Sequence, residues 1–183
     1  MKGLMLLVFG IALGASVQGQ LRINEFMAVN ESVLADACGS FDDWIEIYNA
    51  GDSAVCLNGY SLSDDVENLQ KFKFKSRGKQ RLIVPPQGYL LIWCDEDQLE
   101  GLTHANFRLA AAGEFLALTG PEGTVIDSVH FDAQTADRSY GRSADGSGEW
   151  GFLQKPTPCN ANLGMLGQSA AQFPAVEWLV QVD

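Results

Sequence analysis

The stretch Asp43-Trp44-Ile45-Glu46-Ile47-Tyr48-Asn49 limits the possible folds of this chain more than any other. Its β-branched and aromatic residues suit a half-buried pleated strand, and Asn49-Ala50-Gly51-Asp52-Ser53 supplies turn residues behind it. A short apolar run follows, Ala54-Val55-Cys56-Leu57, so the pattern predicts a β-hairpin. The same alternation recurs along the chain. Leu21-Arg22-Ile23-Asn24-Glu25-Phe26-Met27 reads as a first strand, and Gly59-Tyr60-Ser61-Leu62-Ser63, Phe72-Lys73-Phe74 and Leu82-Ile83-Val84 read as later ones. Pro85-Pro86-Gln87-Gly88 is a turn signal. After it, Tyr89-Leu90-Leu91-Ile92-Trp93-Cys94 is apolar enough to be a central strand buried on both faces.

Phe107-Arg108-Leu109 predicts a short strand. Glu114-Phe115-Leu116-Ala117-Leu118 and the run 124–131 flank Gly120-Pro121-Glu122-Gly123 as a second hairpin. Residues 139–150 are rich in glycine and serine and read as a loop region. Many short strands with regular turns, and no amphipathic helix among them, predict an all-β sandwich.

The first nineteen residues differ from the rest. Lys2 precedes a nearly unbroken apolar run to Ala15, and Ser16-Val17-Gln18-Gly19 places small residues at a cleavage position. The run is shorter than the roughly 20 residues that span a bilayer, so it reads as a cleaved secretory signal. Three segments follow from this: a signal peptide 1–19, a domain 20–163 and a tail 164–183. The expected location is secreted, either extracellular or at the cell surface. The chain carries 12 basic and 23 acidic residues, a formal charge of −11. Such a surface repels phosphate backbones and argues against nucleic-acid binding. The basic cluster Lys71, Lys73, Lys75, Arg77, Lys79 and Arg81 interleaves with aromatics, as expected of a strand whose lysines guard a sheet edge.

Four cysteines, Cys38, Cys56, Cys94 and Cys159, permit two disulfides in three connectivities in an exported chain. With no CxxC spacing and only two histidines, a zinc site is not expected. The acids Asp64, Asp65, Asp95 and Asp97, at strand ends, have the hard oxygens that calcium prefers. His104, or His130 with Asp127 and Asp132, has the chemistry of a general base, but the chain has no Gly-x-Ser-x-Gly nucleophile turn. No catalytic residues are therefore expected. Tyr140, Arg142 and Trp150 form the expected binding surface, because recognition concentrates on loops of a rigid scaffold.

Several ordered pieces resemble the lamin-tail domain as it occurs in secreted bacterial proteins. They are Ile23-Asn24-Glu25-Phe26-Met27, Asp43-Trp44-Ile45-Glu46-Ile47-Tyr48-Asn49-Ala50-Gly51, Leu57-Asn58-Gly59-Tyr60, Gly88-Tyr89-Leu90, His104-Ala105-Asn106-Phe107, Ser139-Tyr140-Gly141-Arg142, Asp145-Gly146 and Thr157-Pro158. The resemblance implies an immunoglobulin-like β-sandwich without catalytic residues, and the expected function is an extracellular or surface interaction module toward a protein or polysaccharide of the cell envelope. An accessory domain or small hydrolase acting on extracellular substrates, or a structural spacer, is the alternative. Cys159 departs from the family pattern, in which glycine commonly follows Thr-Pro; Cys56 and Cys94 also replace other residues, which suggests added disulfides. The tail from Gln172 to Val180 resembles the opening of a type IX secretion sorting domain.

Overall fold

The computed structural model describes residues 20–165, so the leader and the sorting-like tail lie outside the described residues. Twelve strands form in chain order: β1 (Leu21–Met27), β2 (Asp43–Asn49), β3 (Val55–Cys56), β4 (Ser61–Ser63), β5 (Phe72–Lys73), β6 (Ile83–Val84), β7 (Tyr89–Cys94), β8 (His104–Ala105), β9 (Gly113–Thr119), β10 (Val125–Asp132), β11 (Tyr140–Ala144) and β12 (Ser147–Phe152). One sheet runs β12-β11-β1-β2-β7-β8 and a second runs β10-β9-β4-β5, with β3 and β6 forming a small ladder of their own. No helix occurs among the described residues. The architecture is the expected all-β, immunoglobulin-like sandwich.

Alternation along the strands builds the core. Ile45 and Ile47 of β2 join Leu21, Ile23 and Phe26 of β1, Leu116 and Leu118 of β9, and Val129 and Phe131 of β10 in one buried cluster. Removing such side chains from water is the main force holding the two sheets together. The β9–β10 hairpin closes around Gly120 and Gly123 as the sequence predicts. At the start of β9, Gly113 has φ +100°, and a Cβ there would meet the Phe131 carbonyl oxygen at 2.5 Å, so only glycine fits.

Four sequence expectations change. β2 does not form a hairpin with β3; it pairs with β1 on one side and β7 on the other, while β3 pairs with β6. Local turn residues are present there, but the hydrogen bonds of a long apolar strand go to the longer neighbours. β7 is interior to its sheet, yet only Ile92 and Cys94 of its six residues are buried. Among the longer strands, those enclosed on both faces are β1 and β2. The short strand after β7 falls at His104 and Ala105, parallel to β7, while Phe107 and Leu109 are buried from an irregular segment. Residues 139–150 are a β-hairpin, β11–β12, at the edge of the large sheet.

Candidate functional site

The three residues expected to bind a ligand do meet, on the side of the β11–β12 hairpin that faces the sandwich interior. Tyr140 and Trp150 stack with centroids 6.0 Å apart and planes at 8°, and both pack on Phe26 at 5.6 and 5.8 Å. Arg142 covers the Trp150 ring at 4.7 Å. Its Nη2 donates to both oxygens of Asp127 on β10, at 2.9 and 2.8 Å, and its Nε donates to the Ile23 carbonyl at 2.9 Å. The Asp127 carboxylate also accepts the Ile23 N–H at 2.9 Å. β11 pairs with β1 only at Glu25 and Phe26, so this ion pair satisfies backbone groups of Ile23 that lie beyond the ladder. With both side chains only 12% exposed, Arg142 is a clamp between the two sheets.

A second group of motif residues converges on the opposite face of β1 and β2, where residues 157–162 cross the large sheet. Asn24 donates to Glu46 Oε1 at 2.8 Å and accepts the Gly146 N–H at 2.8 Å. Thr157 donates its N–H and hydroxyl to the two oxygens of Glu25, at 2.9 and 2.7 Å, and the Cys159 N–H donates to Glu46. Asp145 accepts from the Tyr89 hydroxyl at 2.6 Å and the Asn162 N–H at 3.0 Å. Asn24, Glu25 and Glu46 are fully buried. Burial, followed by the negative charge of Glu25, pushes Glu46 well above the usual carboxylate range, and burial raises Glu25 too. Separate weak motifs in the sequence thus become one buried polar lock that holds the last segment of the domain in place.

An open cavity of about 390 Å³ lies elsewhere, between β5, at the edge of the small sheet, and the segment 98–106. Lys71, Lys73 and Lys75 line it on one side, together with Phe72. Gln98, Asn106 and His104 line the other. Phe72 and Phe74 are buried while Lys73 and Lys75 are exposed, so the alternation read from the sequence is what turns the lysines outward. Lys71 is tied to Asp64 at 2.7 Å and lies over the Phe107 ring at 5.5 Å. The lysines do sit at a sheet edge, as expected. Their shared cavity with His104 is not visible in sequence, because β8 reaches the site from another part of the chain.

The acids expected to attract calcium serve local roles. Asp64 holds Lys71, Asp65 accepts the Glu67 N–H at 2.9 Å, and Asp97 accepts the Leu99 N–H at 3.1 Å. Asp95 accepts the Asp97 N–H at 2.9 Å and contacts His104 Nδ1 at 2.5 Å. Asp64, Asp65, Asp95 and Asp97 do not form one ligand set among the described residues. His130 is exposed on β10, as its alternation with Val129 and Phe131 predicts. The cysteines depart from expectation. Cys38, Cys56, Cys94 and Cys159 are all free thiols, with Cys94 fully buried in β7. The hydrogen bond and charge of Glu100 push the Cys38 thiol upward, which keeps it protonated and a poor nucleophile.

A family model for the Lamin Tail Domain matches residues 14–133, a span that holds β1 to β10. No curated protein matches the chain. No solved structure matches it either.

Proposed function

The chain belongs to the lamin tail domain family, and from that premise we propose that it is an exported, non-catalytic interaction module whose ligand is an acidic polysaccharide of the cell envelope. The observation that carries this reading is the lysine-lined cavity between β5 and residues 98–106. In a chain of charge −11, the exposed Lys73 and Lys75, beside a Lys71 already paired with Asp64, bring positive charge to one opening. Lysine ammonium groups suit carboxylate or sulfate groups. The amides of Gln70, Gln98 and Asn106, on the same lining, suit the hydroxyls between them.

Binding fits the cavity better than catalysis. His104 with Asp95 has the geometry of an oriented base, but none of the residues lining the cavity is a serine, threonine or cysteine that could act as nucleophile. The opening is also on a sheet edge, where an extended polymer can lie across it.

A glycan-binding assay with a polyuronate, a sulfated glycan and a neutral glucan tests the reading. We expect saturable binding to the acidic polymers that weakens as salt rises. Charge reversal by Lys73→Glu with Lys75→Glu is expected to reduce it at least tenfold while the melting temperature holds. Equal binding of the neutral glucan, or acidic-glycan binding that survives the reversal, overturns the reading.

A further inference from the structure

Residues 68–94 hold six of the chain's 12 basic residues and no acid, while all 23 acids lie outside them. The positive charge runs past the sheet edge that alternation assigns it to guard. β5 ends at Lys73, and Lys75, Arg77, Lys79 and Arg81 lie beyond it, all exposed. Edge protection does not account for these four. Past β5 the chain makes a tight hairpin, in which Arg77 and Gln80 each donate an N–H to the other's carbonyl at 3.1 Å. Gly78 takes the first turn position with φ +63°, the region that a glycine-first two-residue turn uses. Its base is pinned where Ser76 donates its N–H and hydroxyl to Asn58 Oδ1, at 3.1 and 3.2 Å. A Cβ added at Gly78 would meet no atom beyond its chain neighbours within 4 Å, so the tip projects into solvent. Lys73, Lys75, Arg77, Lys79 and Arg81 form no ion pair among the described residues.

We propose that this hairpin is the second half of the glycan site, and that a polyanionic chain seated in the lysine cavity continues onto Arg77, Lys79 and Arg81. The inference rests on the acidic-polysaccharide reading and gives that site its direction and length. Lys75 lines the cavity and stands two residues from Arg77, so cavity and hairpin carry one continuous row of cations. From Lys71 to Arg77 the backbone spans at most about 20 Å, longer than a disaccharide can cover. Like charges held side by side repel one another, and a polyanion laid along them relieves that repulsion while releasing its own counterions. The two arginines add a means of selection. A guanidinium fork takes both oxygens of a carboxylate or sulfate at once, where an ammonium acts as a point charge. Nucleic acid fits this surface less well. Phe72 and Phe74, the aromatics of residues 71–81, are buried, so bases would find no ring to stack on.

The test is calorimetric titration of the purified chain with the di-, tetra-, hexa- and decasaccharides of one polyuronate, at low and at raised salt. Affinity of the parent is expected to rise at least tenfold from the tetrasaccharide to the decasaccharide, with a steeper salt dependence for the longer oligomer. Arg77→Gln with Arg81→Gln changes only exposed side chains, so the melting temperature should hold. This variant is expected to lose most of the gain with length and part of the salt dependence. Lys155→Glu, at an exposed position past β12, changes the net charge by the same amount and is expected to keep the gain. A gain that survives in the double-arginine variant overturns the extension and leaves the cavity reading standing. An equal loss in Lys155→Glu also overturns it, because the effect would then belong to the charge of the whole molecule. Failure of the parent to bind any oligomer overturns the extension together with the glycan reading. Oligodeoxythymidylate of equal charge that binds the parent as tightly as the decasaccharide, and weakens equally in the double-arginine variant, overturns the choice of glycan as the ligand.

Discussion

At the scale of single residues, the informative positions are those where a side chain does something its local pattern does not announce. Glu46 alternates with Ile45 and Ile47 and reads as the solvent-facing residue of a half-buried strand, yet it is fully buried. What covers it is the segment 157–162, which the strand's own sequence cannot report. Both its oxygens accept from donors, the Asn24 amide and the Cys159 N–H. Glu46→Gln keeps the shape but turns an N–H₂ toward one of those donors, and a loss of about 1–3 kcal/mol in urea denaturation is expected. Cys159 is a related case. Its φ is +63°, in the left-handed region, which accounts for the glycine the family resemblance places after Thr-Pro. Cys159→Gly keeps the N–H bonded to Glu46 and is expected to leave the denaturation midpoint nearly unchanged. The β-branched Cys159→Val is expected to cost about 1–2 kcal/mol in the same measurement.

Among elements, the β11–β12 hairpin shows how an aromatic- and arginine-bearing segment can be read as a recognition loop and turn out to close a sandwich. Glycines and serines in this stretch signal turns, and only its pairing with β1 tells that its large side chains face inward. Arg142 and Asp127 link the two sheets while capping Ile23. Losing one member leaves a largely buried charge without its partner. Arg142→Ala and Asp127→Asn are each expected to destabilise by about 3–5 kcal/mol, and the double variant by less than their sum. Arg142→Lys is not expected to rescue, since an ammonium cannot serve Asp127 and the Ile23 carbonyl together. Tyr140→Ala with Trp150→Ala is expected to lower the melting temperature strongly through loss of packing on Phe26. Binding to acidic glycans by the fraction still folded should be retained. Loss of binding with an unchanged melting temperature would instead restore this hairpin as the binding surface.

Over the molecule as a whole, fold class was legible because it needs only period-two alternation and turn chemistry, which the sequences of β1, β2 and β10 and the turn between β9 and β10 carry. Strand order was less legible, since β2 chooses its partners by length and burial from across the chain. The lysine-lined cavity was not legible at all, being made where β5, β8 and the segment 98–106 meet in space. The same assembly buries acids that an unfolded chain would leave in water, which fixes how stability depends on pH. Burial raises Asp43 from 3.8 to about 6 and Glu114 from 4.5 to about 7, and it raises Glu25 and Glu46 in the same direction. Below the ordinary values both folded and unfolded chains hold these protons, so stability is level there. Between those values and about pH 6 to 7 the folded chain retains protons that the unfolded chain has released. Stability therefore falls as pH rises through this window, and above it these two groups add no further slope. The growing negative charge of an already acidic chain acts with the same sign. Urea denaturation at half-unit pH steps should show greater stability near pH 5 than near pH 8. Asp43→Asn with Glu114→Gln should flatten the decline, because neutral amides have no proton to lose. A parent chain that gains stability from pH 5 to 8 would mean that these carboxylates ionise as readily in the fold as in water.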